Sequence, residues 1–162
     1  MKKLIFIRHA KAEDPAAEIS DFERSLTLKG KMISKQIAGK LKETENSPGI
    51  MITSPAFRAL ETAIIFAEAF GIEPGKIILD NNLYYKMNFH YLNIILSLVS
   101  EDIDSVTLFG HNPSFTEIAN GLCRGGCDFL PKCGVVCISF NITKWSEIKR
   151  TTGRMEYFLK PE

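Results

Sequence analysis

The sequence predicts an α/β fold in three layers: a mostly parallel central sheet, helices on both of its faces, and an antiparallel edge hairpin towards the C-terminus. Three observations predict it. Short continuous apolar runs, such as Leu4-Ile5-Phe6-Ile7, suit strands buried on both faces. They alternate with longer stretches whose apolar residues recur at helical spacing, which is the rhythm of βαβ units. The chain then closes on two β-rich runs joined by a single connection.

Taken in order, residues 3–7 read as the first strand and residues 10–25, polar and carrying Pro15, as a long loop. Thr27 is a good N-cap, and Ile33, Ile37 and Leu41 repeat along the helix that follows. Ser47-Pro48-Gly49 stops that helix before a second buried strand at residues 50–53. Ser54-Pro55 reads as N-cap and first position of the next helix, with Ala59, Ala63, Phe66, Ala67 and Phe70 as its apolar stripe and Gly71 just past its end. Residues 76–79 suggest a short strand and residues 80–89 an irregular segment. Leu92, Ile95, Leu96 and Val99 mark a third helix, and residues 105–109 another strand. Asn112-Pro113 repeats the cap-then-proline signal, with Phe115, Ile118, Ala119 and Leu122 as the stripe and Gly125-Gly126 as the stop. Residues 134–140 and 154–159, joined by residues 141–152, form the expected hairpin. No repeat or linker interrupts the chain, so residues 1–162 read as a single domain.

Composition narrows the function. With 45% apolar and 24% charged residues, the 162-residue chain has the balance of a globular protein with one core. Twenty basic against 19 acidic residues give a net charge of +1, too little to point to nucleic acid or a membrane surface. The apolar runs are too short to span a bilayer, and Arg8-His9 interrupts the first of them too early for a signal peptide. The expected compartment is the cytoplasm. Cys123, Cys127, Cys133 and Cys137 have the layout C-x3-C-x5-C-x3-C with no histidine beside them, which fits zinc poorly, and read as ordinary packing thiols.

Open α/β sheets bind ligands at the carboxyl ends of their strands. Arg8-His9 follows the first strand, Ser54-Pro55-Ala56-Phe57-Arg58 the second, and Gly110-His111-Asn112-Pro113 the strand at residues 105–109. Two of the chain's three histidines and two arginines thus fall at one sheet edge, where two helix N-termini also favour an anion. Arginine forks match phosphate oxygens, and an uncharged histidine can accept a phosphoryl group covalently. No acidic cluster suggests a metal. Singly, Arg8-His9 reads equally as a surface ion-pair group, Arg58 as a solvated side chain, and His111 as a helix cap; the inference lies in their convergence. The third histidine, His90, reads as a surface or capping residue. Lys11 and Lys86 either widen the basic rim or are simply solvated.

Together these segments resemble the histidine phosphatase superfamily, also called phosphoglycerate mutase-like, and within it the small SixA-type phosphohistidine phosphatases. The matching stretches are Leu4-Ile5-Phe6-Ile7-Arg8-His9-Ala10-Lys11, Arg24-Ser25-Leu26-Thr27-Leu28-Lys29-Gly30, Thr53-Ser54-Pro55-Ala56-Phe57-Arg58-Ala59-Leu60-Glu61-Thr62-Ala63 and Leu108-Phe109-Gly110-His111-Asn112-Pro113. The resemblance implies that His9 accepts the phosphoryl group and that Arg8, Arg58 and His111 form the phosphate pocket. It also implies that Arg24 and Asn112 contact substrate, although Arg24 is as well placed for a salt bridge with Asp21 or Glu23. It implies no metal and no organic cofactor.

Two departures stand out. Ala10 replaces the glycine of the frequent Arg-His-Gly motif, as the phosphohistidine-directed members often allow. Where ester-cleaving members usually place a Glu or Asp acid, this chain has Asn82-Leu83-Tyr84-Tyr85-Lys86-Met87, with Tyr85 at the expected position. An alkoxide needs a proton as it leaves, whereas an imidazole, titrating near pH 6.5, departs as a neutral ring. The implied substrate is therefore a phosphohistidine-bearing protein. Alternatives are a small sugar or nucleotide phosphate ester, with Glu13 of the first loop or Tyr85 as acid, or a phosphate-binding module without catalysis.

Overall fold

A computed structural model describes residues 1–85 and 87–162. Among these residues six strands form one sheet: β1 (Lys2–Arg8), β2 (Ile50–Thr53), β3 (Ile78–Leu79), β4 (Ser105–Gly110), β5 (Val135–Phe140) and β6 (Arg154–Leu159), in the order β3-β2-β4-β1-β5-β6. The first four run parallel, and β5 and β6 pair antiparallel at one edge. Four α-helices cover the sheet: α1 (Leu28–Thr44), α2 (Phe57–Ala69), α3 (Phe89–Ser97) and α4 (Ser114–Leu122).

The two faces follow from the alternation of side chains along a strand. Leu4 and Phe6 point into one core with Leu108, Val136 and the apolar residues of α3 and α4. Ile5 and Ile7 point into the other, with Phe109, Val135 and the stripes of α1 and α2. A strand buried on both sides has no room for a polar face, which is why these runs are continuously apolar. Cys123 and Cys127 lie in the first core and Cys133 and Cys137 in the second, so the sheet separates the two pairs. Burial pushes the Cys133 thiol up to about 12 and the Cys137 thiol to about 11, which keeps both protonated. Among the described residues no helix is long and apolar enough to cross a membrane.

Several boundaries differ from the sequence reading. Ser54-Pro55 does not open α2; the helix starts at Phe57 after Ala56. Ser54 is still held by the sheet, its N–H donating to the Phe109 carbonyl at 2.9 Å. Likewise α4 starts at Ser114, with Pro113 in the cap position; Asn112 supports its first turn by accepting from the Thr116 N–H and hydroxyl at 3.3 and 2.9 Å. That helix ends at Leu122 rather than at the glycines, because Cys123 turns extended and bridges Gly153 ahead of β6. Residues 74–76 form a 3-10 turn, which shortens the expected third strand to two residues. Val99 follows α3 rather than belonging to it. The loop of residues 10–25 holds a 3-10 turn, Asp21–Glu23, and is tied down by an Ala12–Leu26 bridge.

Gly110 ends β4 with no side chain for a packing reason. A Cβ there would lie 2.6 Å from the ring of Phe115, which is fully buried and meets Phe6 edge-on at 5.4 Å. Gly110→Ala should therefore destabilise the protein by about 1–3 kcal/mol, the usual cost of overpacking a filled core. Urea unfolding checks this, and an unchanged midpoint contradicts it.

Candidate active site

Register decides which side chains meet. Arg8 pairs with Gly110 across β1 and β4, and Thr53 pairs with Phe109 across β2 and β4. The residues one step beyond, His9, Ser54 and His111, therefore emerge side by side at the carboxyl edge of the sheet. The His9 N–H continues the ladder to the Gly110 carbonyl at 3.0 Å. The His9 and His111 rings lie 5.2 Å apart, centroid to centroid.

His9 is 8% exposed, and its Nδ1 lies 2.8 Å from the Ala10 carbonyl oxygen. A carbonyl only accepts, so Nδ1 carries the proton of the neutral ring and Nε2 keeps its lone pair. Burial, reinforced by the charges of Arg58, Arg8 and Lys132 and opposed by the Ala10 bond, pushes the pKa of His9 down to about 4. Burial, with His9, Arg58 and Arg8 close by, likewise pushes His111 down to about 3, against the attraction of Asp21. Both rings are neutral at pH 7.

The two arginines are fixed from outside. Arg8 Nη1 donates to the Leu130 carbonyl at 3.1 Å, and the exposed Phe129 ring lies over its guanidinium, 5.6 Å from the ring centre. Arg58, in the first turn of α2 and 6% exposed, donates from Nη1 to the Asp21 carbonyl at 2.8 Å and from Nη2 to Asp21 Oδ2 at 3.1 Å. His111 Nε2 lies 2.8 Å from Ser54 Oγ. The remaining nitrogens are different. Arg8 Nε, Arg58 Nε and His111 Nδ1 are buried and have no hydrogen-bond partner among the described residues. Among the described residues only one other buried side-chain polar atom, Ser105 Oγ, is in that position. Unpaired buried nitrogens are costly, and the two guanidinium Nε–H groups and the His111 Nδ1, gathered around His9, suit the oxygens of an anion.

The model of histidine phosphatase superfamily branch 1 matches residues 4–83, which include Arg8, His9, Arg24 and Arg58. A structure provisionally assigned as phosphohistidine phosphatase SixA from Agrobacterium tumefaciens matches over 99% of both chains, with 25% identity and a TM-score of 0.81. The chain belongs to the histidine phosphatase superfamily. Two further structures share the fold. The protein histidine phosphatase SixA complexed with tungstate has 19% identity and a TM-score of 0.79, covering 97% of this chain and 96% of the other. A mycobacterial glucosyl-3-phosphoglycerate phosphatase complexed with VO3 has 13% identity and a TM-score of 0.71, covering 97% and 98%. Among curated proteins none matches the sequence.

This histidine phosphatase is a hydrolase, and its structure brings Arg8, His9, Arg58 and His111 together. The other expected residues sit differently. Arg24 is engaged within the protein, by Nε and Nη2 to Asp21 Oδ1 at 3.1 and 2.8 Å and by Nη1 to the Glu13 carbonyl at 2.9 Å. The Asn112 amide donates to the Leu130 carbonyl at 2.9 Å while its oxygen serves Thr116. Glu13 is exposed, and its tie to Arg24 runs through the backbone rather than the carboxylate. Tyr85 is 71% exposed; it is Tyr84 that packs edge-on to His111, at 5.8 Å. Lys11 and His90 are exposed, and Lys86 lies outside the described residues.

Sequence reasoning missed Ser54, Tyr84 and the central part played by Asp21. The Asp21 carboxylate accepts from Arg24, Arg58 and the Tyr84 hydroxyl, the last at 3.0 Å. Burial alone would raise its pKa, but those bonds and the Arg58 charge outweigh it and hold Asp21 at about 2. The one signal in the sequence was the three-residue spacing of Asp21 and Arg24. No group of three or more His, Cys, Asp or Glu among the described residues is arranged to hold a metal ion.

A lowered pKa means that His9 gains its proton only as the pH falls through about 4. NMR titration of the His9 ring in the free protein should find it neutral from pH 7 down to pH 5. A midpoint near the ordinary 6.5 would show that neither burial nor the arginines act on it.

Proposed function

We propose that this phosphatase removes phosphoryl groups from phosphohistidine on proteins, through a covalent intermediate on His9. The observation that carries the reading is the uncommitted Nε2 lone pair of His9 set among the unpartnered Nε–H groups of Arg8 and Arg58 and the unpaired Nδ1 of His111. In the first step Nε2 attacks phosphorus and the P–N bond of the substrate breaks. The bonding pair returns to the substrate imidazole. If that ring already carries a proton on its second nitrogen, it leaves neutral and needs no acid from the protein. Water then attacks the phosphoryl group on Nε2, inorganic phosphate leaves, and His9 is restored. The arginines and His111 hold the non-bridging oxygens, where charge resides in the transition state.

Two features favour a phosphohistidine protein over an alkyl ester. Asp21, which touches Arg58, is ionised at any physiological pH and is spent on three donors, so it supplies no proton. The surroundings are also aromatic and open. Phe57, beside Arg58, is 40% exposed, and Phe129, over Arg8, is 62% exposed. Such a rim suits a protein surface and a planar leaving group better than a polyhydroxylated sugar.

His9→Ala should abolish turnover of a phosphohistidine peptide, and the parent should carry an acid-labile, base-stable phosphoryl label that this variant lacks. An active His9→Ala variant ends the proposal. Arg58→Ala should lower kcat on the order of a hundredfold, the scale of losing one donor to developing negative charge. Parallel turnover of a phosphohistidine peptide and a panel of sugar and nucleotide phosphates tests the substrate class. A clear preference for the esters replaces this reading and directs attention to Glu13 as acid.

A further inference from the structure

His111 reaches the pocket from β4, but its ring is held by β2. Ser54 is completely buried, and its Oγ lies 2.8 Å from His111 Nε2. The same oxygen accepts the Ala56 N–H at 3.3 Å. A serine hydroxyl has one proton and two lone pairs. If Oγ accepted from Nε2–H, its own proton would need another acceptor, and among the described residues Ser54 Oγ makes no other hydrogen bond. If Oγ donates to Nε2, every group is used. The imidazole proton then belongs on Nδ1, which is the buried nitrogen without a partner among the described residues.

We infer that Ser54 is a positioning residue that fixes the tautomer of His111, so that Nδ1–H and not a lone pair meets the phosphoryl oxygens. The inference rests on the reading of the pocket given above. Neutrality of the ring makes the tautomer matter. A charged imidazolium donates from both nitrogens, whereas burial beside His9 and Arg58 keeps His111 neutral. A neutral ring with the wrong tautomer would turn a lone pair towards an anion, replacing an attraction with a repulsion. The Ser54 backbone secures the arrangement, since its N–H is pinned to the Phe109 carbonyl two residues before His111. The Ser-Pro pair that looks like a helix cap thus works as an orienting device for a histidine on the neighbouring strand.

Long-range nitrogen-15 NMR of the free protein reads the tautomer directly. His111 should show a protonated Nδ1 and an unprotonated Nε2; the opposite pattern in the parent overturns the inference. In Ser54→Ala the proton should move wholly or partly to Nε2. Its kcat should fall on the order of a hundredfold while KM changes less and the thermal midpoint stays close to the parent's. Ser54→Thr, which keeps the hydroxyl, should restore both the tautomer and most of kcat. A Ser54→Ala protein with the parent's tautomer and kcat also overturns it. Because the tautomer is read without substrate, the two proposals fail separately. An active His9→Ala variant removes the phosphohistidine intermediate and leaves the tautomer result standing, whereas an inert His9→Ala variant with Nε2–H on His111 removes only the role of Ser54.

Discussion

The hydrogen bond between His9 Nδ1 and the Ala10 carbonyl is the interaction on which the site depends. It is local, made between adjacent residues, and it costs the fold nothing that β1 has not already arranged. Its effect is chemical. By taking the one proton of a neutral imidazole, it leaves the lone pair on the opposite nitrogen. Burial supplies the other half, since a ring with its pKa near 4 stays uncharged at neutral pH. The same arrangement recurs around the pocket. Arg8, Arg58 and His111 are each bound to the protein through some nitrogens, to Leu130, Asp21 and Ser54 in turn, while another nitrogen stays unpaired. Rigid donors of this kind need no reorganisation when charge develops before them.

Asp21 adds a second constraint. Two buried or half-buried cations near one another repel, and a shared carboxylate relieves that repulsion. Asp21 does so for Arg58 and Arg24 while also holding the Tyr84 hydroxyl. The stabilising role has a chemical consequence, because a carboxylate committed to cations is a poor proton donor. Asp21 is therefore equipped to hold the cations in place and poorly equipped to protonate a leaving group.

Much of this was legible in the sequence because strand ends are legible. Continuous apolar runs marked β1, β2 and β4, and their register carries His9 and His111 to one edge whatever the loops do. The paired strands β5 and β6 were legible for the same reason. What escaped were contacts that local patterns do not encode. Ser54-Pro55 carries a strong helix-start signal, yet a hydrogen bond to Phe109 keeps Ser54 in the sheet. Tyr84 and Tyr85 are consecutive in a segment without periodicity, so nothing in the sequence said which of them turns to His111. Asp21 meets Arg58 across 37 positions and Tyr84 across 63, and loop residues give no register from which to infer such pairs.

Cys133 is one of two non-glycine residues among those described with positive φ, at 59°, and its N–H is shared by the carbonyls of Arg8 and His9 at 3.1 Å each. Three positions earlier, the Leu130 carbonyl receives both the Arg8 guanidinium and the Asn112 amide. The backbone that carries the key imidazole near the start of the chain is thus stitched by a turn made close to its end. The turn at residues 130–133 therefore holds the Arg8–His9 backbone and the Arg8 guanidinium at once, so that a change in this distant loop reaches the imidazole without touching it.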